Sequence, residues 1–234
     1  MICFTSDIDW APDAVVKEML DIFEEYNVKC TLFTTHESDV IKFSESNLFE
    51  VAIHPNFNNS LLQGNGRSAE DIIYELMEIY PNAKGVRSHS MTHATPLLNI
   101  YKKFHLKYES NLFIPYNYEL KPYICWTGIT RIPYNWEDDI HFSYGKSFLY
   151  DPFENSKIHI ENGYFVFDFH PIHVFLNTDN AETYNKAKTF YHNVNELQNY
   201  RNRKNIGTRD FLISLLTKIK EMKYKTFKLS ELVL

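Results

Sequence analysis

Phe4-Thr5-Ser6-Asp7-Ile8-Asp9-Trp10 opens as an apolar run and ends in two carboxylates two residues apart. Ile2, Phe4 and their neighbours read as a buried strand, which places Asp7, Asp9 and Trp10 at its C-terminal end. In open α/β sheets and α/β barrels that end carries the chemistry. If both carboxylates face one site they can divide two tasks, one binding a metal and the other moving a proton. The rest of the chain is then searched for the histidines, the arginine and the further acid such a site needs.

A chain of 234 residues has room for one large α/β domain or two small ones. Hydrophobic residues make up 44%, enough for a sizeable core. The 16 Tyr and 18 Phe fill cores and also form stacking platforms for sugar rings. A net charge of −6 argues against nucleic acid as a partner, and the only basic cluster is Arg201-Asn202-Arg203-Lys204. Cys3, Cys30 and Cys125 are odd in number and widely spaced, which is no disulfide framework. Asp7 and Asp9 interrupt the N-terminal apolar run, so no signal peptide or transmembrane segment is expected and the chain reads as cytoplasmic.

Past Pro12-Asp13 the residues Val15, Met19, Ile22, Phe23 and Tyr26 repeat at helical spacing, with Asn27 as the stop. Lys29–Thr35 is a second strand, Glu37–Phe43 a short helix, and Phe49–Ile53 a third strand ending at His54-Pro55. The stretch 61–68, with Gly64, Asn65 and Gly66, reads as a loop, and Ser68 caps a helix over Ala69–Tyr80. Ala83–Arg87 and Leu106–Glu109 are strands either side of a helix from Thr95 to Phe104. The alternation predicts a parallel sheet or barrel with helical crossovers. The stretch Pro115–Asn162 is less regular, Tyr164–Phe169 is a strand, and Ala181–Tyr191 and Thr208–Met222 are helices. Asn193–Asn205 reads as a polar linker, and Thr226–Lys228 as a last strand. No domain boundary is visible, so residues 1–234 are expected to form a single domain.

Polar residues recur at the strand ends: Asp7 and Asp9, then His54, then Arg87 and His89, and late in the chain His170 and His173. One histidine on an apolar strand is more often a hydrogen-bonded core residue than a ligand. Four such strand ends point to one face of the fold. A zinc-type site takes about three protein ligands and leaves one position open, and Asp9 and His54 are natural candidates. Asp7 could then take a proton from metal-activated water, with Arg87 holding it ionised, and His170 could protonate a leaving group. Such a set describes metal-assisted hydrolysis of an amide or ester.

The order of these motifs resembles the polysaccharide deacetylase family, the carbohydrate esterases with a NodB-homology domain. Within it the chain is most similar to the WbmS-type branch linked to O-antigen biosynthesis. Glu50-Val51-Ala52-Ile53-His54-Pro55-Asn56-Phe57-Asn58, Gly85-Val86-Arg87-Ser88-His89-Ser90 and Phe169-His170-Pro171-Ile172-His173 carry the resemblance. It implies a distorted parallel (β/α) barrel of the NodB-homology type. It also implies removal of N- or O-acetyl groups from a sugar or glycan with a divalent metal such as zinc. Placed residue by residue, it makes Asp7 the base, Asp9 a metal ligand, Arg87 the partner of the base, and His170 the acid. His54 is the first of two metal histidines, and Asn58 stands where the second belongs. Trp136, with Glu137, Asp138 and Asp139, matches the motif that supplies an aspartate and a tryptophan.

The chain departs from the family pattern at two points. Asn58 is a weaker ligand than imidazole, so His89 or His93 is an alternative third ligand. The usual proline and tyrosine after the arginine are missing, and Ser90 stands at the tyrosine's place, where its backbone N–H could serve as an oxyanion donor. Trp10 and Trp136 are candidates to stack on a sugar. Asp139 and His173 are candidates to orient catalytic groups or touch substrate. Two other functions compete with the deacetylase: an inactive relative that binds a glycan, and an amidohydrolase acting on a non-sugar amide.

Overall fold

The computed structural model describes residues 1–44, 47–62, 64, 66–155 and 162–234. β1 (Ile2–Asp7) is buried along its whole length. Its side chains alternate as strand geometry requires. Ile2 and Phe4 join the core shared with the helices, while Cys3 joins a second core on the opposite face. Thr5 and Asp7 share that second face and meet Arg87 there.

α1 (Asp13–Tyr26) forms because Val15, Val16, Met19, Leu20, Ile22 and Phe23 make one apolar stripe, all of it buried. Asn27 ends it in the left-handed conformation that asparagine tolerates. The stripe packs on β1, with the Phe23 ring edge-on to Phe4 at 5.6 Å. Each such fully buried phenylalanine contributes roughly 1.5–3 kcal/mol relative to exposure.

β2 (Cys30–Thr34), β3 (Phe49–Ile53), β4 (Gly85–Val86) and β5 (Tyr108–Glu109) follow β1 in parallel, one beside the next. Between them lie α2 (Asp39–Lys42), α3 (Asn58–Leu62), α4 (Ala69–Ile79) and α5 (Thr95–Lys103). β6 (Tyr123–Ile124) and β7 (Thr130–Arg131) form an antiparallel hairpin, and β7 lies parallel to β5. The chain stays extended from β7 into β8 (Trp136–Glu137). Midway, Tyr134 donates its N–H to Leu112 at 2.9 Å and bridges Phe113 in parallel. β8 then pairs with β9 (Phe165–Asp168), and β9 with β1. The stretch 130–137 thus pairs with β5 at its start and β9 at its end, closing the curled sheet into a distorted parallel barrel. α6 (Asp138–Ser143) and α7 (Pro152–Asn155) precede β9. After it come α8 (Pro171–Leu176), α9 (Ala181–Ala187), α10 (Val194–Leu197) and α11 (Thr208–Met222). β10 (Thr226–Phe227) pairs with the start of β1.

The barrel interior is apolar at one end and charged at the other. Cys3, Phe33, Ala52, Tyr108, Tyr134, Tyr164 and Val166 fill it, with Leu229 and Leu232 of the C-terminal turn packed among them. Toward the strand C-termini the filling changes to Thr5, Asp7, Arg87, Ser110 and Asp168. Gly85 is needed because a Cβ there would overlap the buried Tyr108 ring, whose hydroxyl donates to Glu50 Oε1 at 2.9 Å. Gly85→Ala is expected to cost about 1–3 kcal/mol through overpacking, read as a lower urea midpoint. An unchanged midpoint would mean that the ring moves aside freely.

The expected elements recur with trimmed ends, apart from three corrections. The stretch read as a loop from residue 61 begins inside α3, which runs to Leu62. The helix expected over Ala181–Tyr191 stops at Ala187, and a single 3-10 turn continues it over Lys188–Phe190. The expected linker Asn193–Asn205 instead contains α10 and a further turn, Gln198–Tyr200. It is tied down by Arg201 on Glu18 at 2.7 Å and by the Asn202 amide on the Asn177 and Asn205 carbonyls. Asn65 of the expected glycine loop, and residues 156–161 of the irregular middle, lie outside the described residues. Among the described residues no helix is long and apolar enough to cross a membrane.

Candidate active site

Asp7 closes β1, His54 follows β3, Arg87 follows β4 and His170 lies two residues past β9. Parallel pairing brings these ends to one rim. Directly after β1 the backbone turns through two consecutive left-handed residues, Asp9 (φ 39°) and Trp10 (φ 56°). Neither is glycine, so the turn stores strain that its surroundings must hold. It throws the Asp9 carboxylate back over the rim.

There Asp9 Oδ1 meets His54 Nε2 at 3.2 Å and His89 Nδ1 at 3.1 Å, and Asp9 Oδ2 lies 3.7 Å from His170 Nε2. One ligand atom each from Asp9, His54 and His89 falls within 4.8 Å of the others. Two imidazoles and a carboxylate are a donor set that zinc-type ions take. His54 is buried, and its Nδ1 has no hydrogen-bond partner among the described residues. Burial would raise the Asp9 carboxyl, but hydrogen bonds from His54 and His89 outweigh it and hold the group well below the carboxylate range. Burial disfavours the His54 imidazolium, yet the charge of Asp7 and the hydrogen bond to Asp9 push its pKa up. The residues present therefore fit a divalent cation.

For the third position the sequence left Asn58, His89 and His93 open, and the structure places the three differently. The Asn58 amide is already engaged: its Nδ2 donates to Ser90 Oγ at 3.2 Å and its Oδ1 accepts from Thr92 Oγ1 at 3.0 Å. Asn58 thus braces the turn His89–Met91 that presents His89. His93 is exposed and leans on Arg131, outside the group. Ser90, the residue after His89, adopts φ 57°.

Behind the rim, Arg87 is fully buried between the rings of Phe33 and Tyr134, at 4.3 and 4.1 Å from their centroids. Its Nη1 donates to Asp7 Oδ1 at 2.9 Å, to Thr5 Oγ1 at 3.1 Å and to Asp168 Oδ1. Its Nε and Nη2 are taken by the Ser110 carbonyl and hydroxyl, each at 3.0 Å. One guanidinium therefore serves two buried carboxylates. Burial raises the Asp7 carboxyl above its ordinary value, and the charge of Arg87 offsets only part of that rise.

His170 is fixed by Asp138, which accepts from its backbone N–H at 2.8 Å and meets its Nδ1 at 2.7 Å. Burial alone would lower the His170 pKa, but the Asp138 charge and hydrogen bond push it well above the usual imidazole value. Of the acid run Glu137-Asp138-Asp139, it is Asp138 that holds the histidine. Glu137 is buried against the Tyr134 hydroxyl at 3.2 Å, and Asp139 faces a cavity. His173 is buried, its Nδ1 sits on Thr178 Oγ1 at 3.1 Å, and burial holds it neutral far below its usual pKa.

That cavity, about 400 Å³, is bounded by Asp9, Trp10, His89, His170, Tyr184 and Tyr191, with Asp139 and His173 also on its wall. Trp10 presents an exposed ring edge-on to His89. Trp136 is a correction. It is fully buried, stacks on Phe211 at 4.7 Å and donates its Nε1–H to His141 at 3.1 Å, so it reaches no substrate. A larger cavity of about 830 Å³ beside 201–205 contains none of the rim acids or histidines.

Two participants were not singled out in the sequence. Asp168 belongs to the β9 strand, where strand alternation sets it opposite Phe165 and Phe167 and so inside the barrel. Tyr191 hydrogen-bonds the Asp9 carbonyl from 182 residues away, and no local signal points to it.

Comparison with known proteins bears on this geometry. The family model described as WbmS-like, polysaccharide deacetylase, matches residues 4–188. The crystal structure of WbmS from Bordetella bronchiseptica, assigned as a polysaccharide deacetylase involved in O-antigen biosynthesis, is 35% identical. It superposes with a TM-score of 0.84 over 93% of this chain and 90% of that one. A polysaccharide deacetylase structure from Mycobacterium smegmatis shares the fold at 16% identity and a TM-score of 0.66, over 99% of this chain and 88% of that one. The peptidoglycan N-acetylglucosamine deacetylase Bc1960 shares it at 14% identity and 0.51, over 99% and 86%. No curated protein matches. The family match spans β1 to α9 and so takes in every rim acid and histidine described above, which makes this chain a member of the WbmS-like polysaccharide deacetylase family.

Proposed function

We propose that this protein hydrolyses an N- or O-linked acetyl group from a sugar or glycan precursor, with a divalent cation, zinc by its donor set, held by Asp9, His54 and His89. The observation that carries the reading is the placing of two differently tuned proton-transfer groups around that cluster: Asp7 on Arg87, and His170 on Asp138. When bound, the cation supplies Lewis acidity, lowering the pKa of water and polarising a carbonyl. Asp7 accepts the proton of the attacking water, a task suited to a carboxylate whose pKa burial has raised. The water oxygen bonds to the acetyl carbon, and the C–N or C–O bond to the sugar breaks. His170 gives its Nε2 proton to the departing nitrogen or oxygen, while Asp138 keeps the ring oriented and stabilises its positive form. Trp10, Tyr184 and Tyr191 offer apolar faces for a sugar ring in the cavity.

The test measures acetate release from a panel of N- and O-acetylated sugars and, in parallel, ring opening of cyclic amides. It is joined to elemental analysis of the wild type and of Asp9→Ala, His89→Ala and Asn58→Ala. Release from acetylated sugars is expected, with near-stoichiometric metal that Asp9→Ala and His89→Ala lose and Asn58→Ala largely keeps. Turnover of cyclic amides alone would move the protein to the amidohydrolases. No turnover and no metal, even after reloading, would leave a glycan-binding relative.

The pH profile offers a separate check. The folded pKa of His170 is raised, so its acid form persists to higher pH than that of a free imidazole and is lost as pH rises through that raised value. Asp138→Asn removes the charge that raises it. The alkaline limb of kcat/KM is therefore expected to begin at lower pH in the variant, and an unmoved limb would remove His170 from the acid role.

A further inference from the structure

We propose that Tyr191 is a positioning residue that holds the Asp9–Trp10 turn, and through it the Asp9 carboxylate, in the geometry a divalent cation needs. The inference rests on the reading of Asp9, His54 and His89 as the cation site. Asp9 and Trp10 both occupy the left-handed region, with neither being glycine. Such a conformation persists only where the surroundings over-determine it. Three hydrogen bonds do so here. Ala11 N–H closes the turn onto the Ile8 carbonyl at 2.8 Å, and Trp10 N–H donates to Thr35 Oγ1 at 2.9 Å, just past β2. The Tyr191 hydroxyl donates to the Asp9 carbonyl oxygen at 2.6 Å.

The third bond differs in kind from the other two. It is the one made directly to the backbone of the residue whose carboxylate meets His54 and His89. It comes from the far end of the chain, beyond the turn that continues α9, and reaches across the cavity wall. Tyr191 also lies past the residues that the family model matches, which end at 188. The brace is therefore read from this chain's own geometry. Groups that orient a ligand from behind typically change metal affinity 10–100-fold when removed, and Tyr191 orients Asp9 through its main chain.

Tyr191→Phe keeps the ring and removes only the donor. The test takes metal-free full-length protein labelled with 5-fluorotryptophan, the Trp10 resonance being assigned with Trp10→Phe. Zinc affinity is measured by chelator competition. The proposal expects a wild-type-like thermal midpoint without metal, zinc affinity weaker by about 10–100-fold, and a shifted or broadened Trp10 fluorine resonance while that of buried Trp136 stays. A role in general stability would lower the midpoint without moving Trp10 selectively. Thr35→Val releases the same turn from its other side and is expected to move both readouts in the same direction. Tyr191→Phe with either zinc affinity or the Trp10 resonance unchanged overturns the proposal. If the wild type binds no zinc, that failure belongs to the metal reading, and the Trp10 resonance alone then decides whether Tyr191 holds the turn.

Discussion

Asp7→Asn is expected to lower kcat/KM by on the order of 10²–10⁴-fold, the usual contribution of a positioned general base, while leaving the fold as stable as before or more so. The two halves of this expectation come from one feature. Asp7 is buried, and its pKa is raised because desolvation outweighs the Arg87 charge. A carboxyl whose folded pKa lies above its unfolded value stabilises the fold below the unfolded pKa, and that contribution is lost as pH rises through the folded one. Above that folded pKa the ionised Asp7 therefore detracts from stability, and the neutral amide does not. Asn can still accept the Arg87 hydrogen bond through its own Oδ1. It also leaves Arg87 opposite Asp168 alone, one charge against one. Urea unfolding should show Asp7→Asn at or above the wild type at pH 8, with the gap closing as pH falls. A variant that is inactive because it is unfolded would contradict the assignment, as would one that retains full turnover. The trade of stability for a working group is common at active sites.

The parts of this site differ in how legible they were. Strand ends were readable because a buried strand announces itself by its apolar run, and parallel pairing sends every end to the same rim. Asp7, Asp9, His54, Arg87 and His170 all follow from that. Choosing among neighbours was harder wherever the local backbone leaves the strand pattern. Glu137, Asp138 and Asp139 lie at the passage from β8 into α6, where strand alternation gives way to helical rotation, so sequence spacing could not single out Asp138. His89, the third ligand in the proposed cation site, is presented by a 3-10 turn with a left-handed residue inside it, at Ser90. Asn58 matched a motif position, yet its amide is spent bracing that turn. Trp136 was not legible by alternation: Ile132 and Tyr134 face the barrel interior, yet Trp136 joins the core shared with the helices and Glu137 turns inward, so the period of two breaks between 134 and 136. Asp168 was legible by alternation, on the face opposite Phe165 and Phe167. Tyr191 was not, because its partner is 182 residues away and its role is a single hydrogen bond to backbone.

Arg87→Met is expected to cost about 3–5 kcal/mol, the usual penalty for removing one partner of a buried ion pair. The value belongs at the upper end here, because two carboxylates lose their cation together. The side chain is fully buried and packed between Phe33 and Tyr134, so methionine keeps much of the apolar contact while losing the charge and the donors. Arg87→Lys should recover only part of the loss. An ammonium can face Asp7 and Asp168, but it cannot also reproduce the planar fork that holds the Ser110 carbonyl and hydroxyl. The pH dependence separates electrostatics from packing. Without Arg87 the Asp7 carboxyl, already raised by burial, loses the charge that lowers it and rises further. Protonation then relieves the unpaired charge, so the deficit of Arg87→Met should shrink as pH falls from 8 to 5, and a cavity defect would not change. Adding Asp168→Asn to Arg87→Met should restore part of the stability at pH 8, where the same substitution in the wild type would cost stability by removing a charge that the buried Arg87 guanidinium faces. A double variant no more stable than Arg87→Met would show that the guanidinium serves the barrel by filling space rather than by balancing its acids.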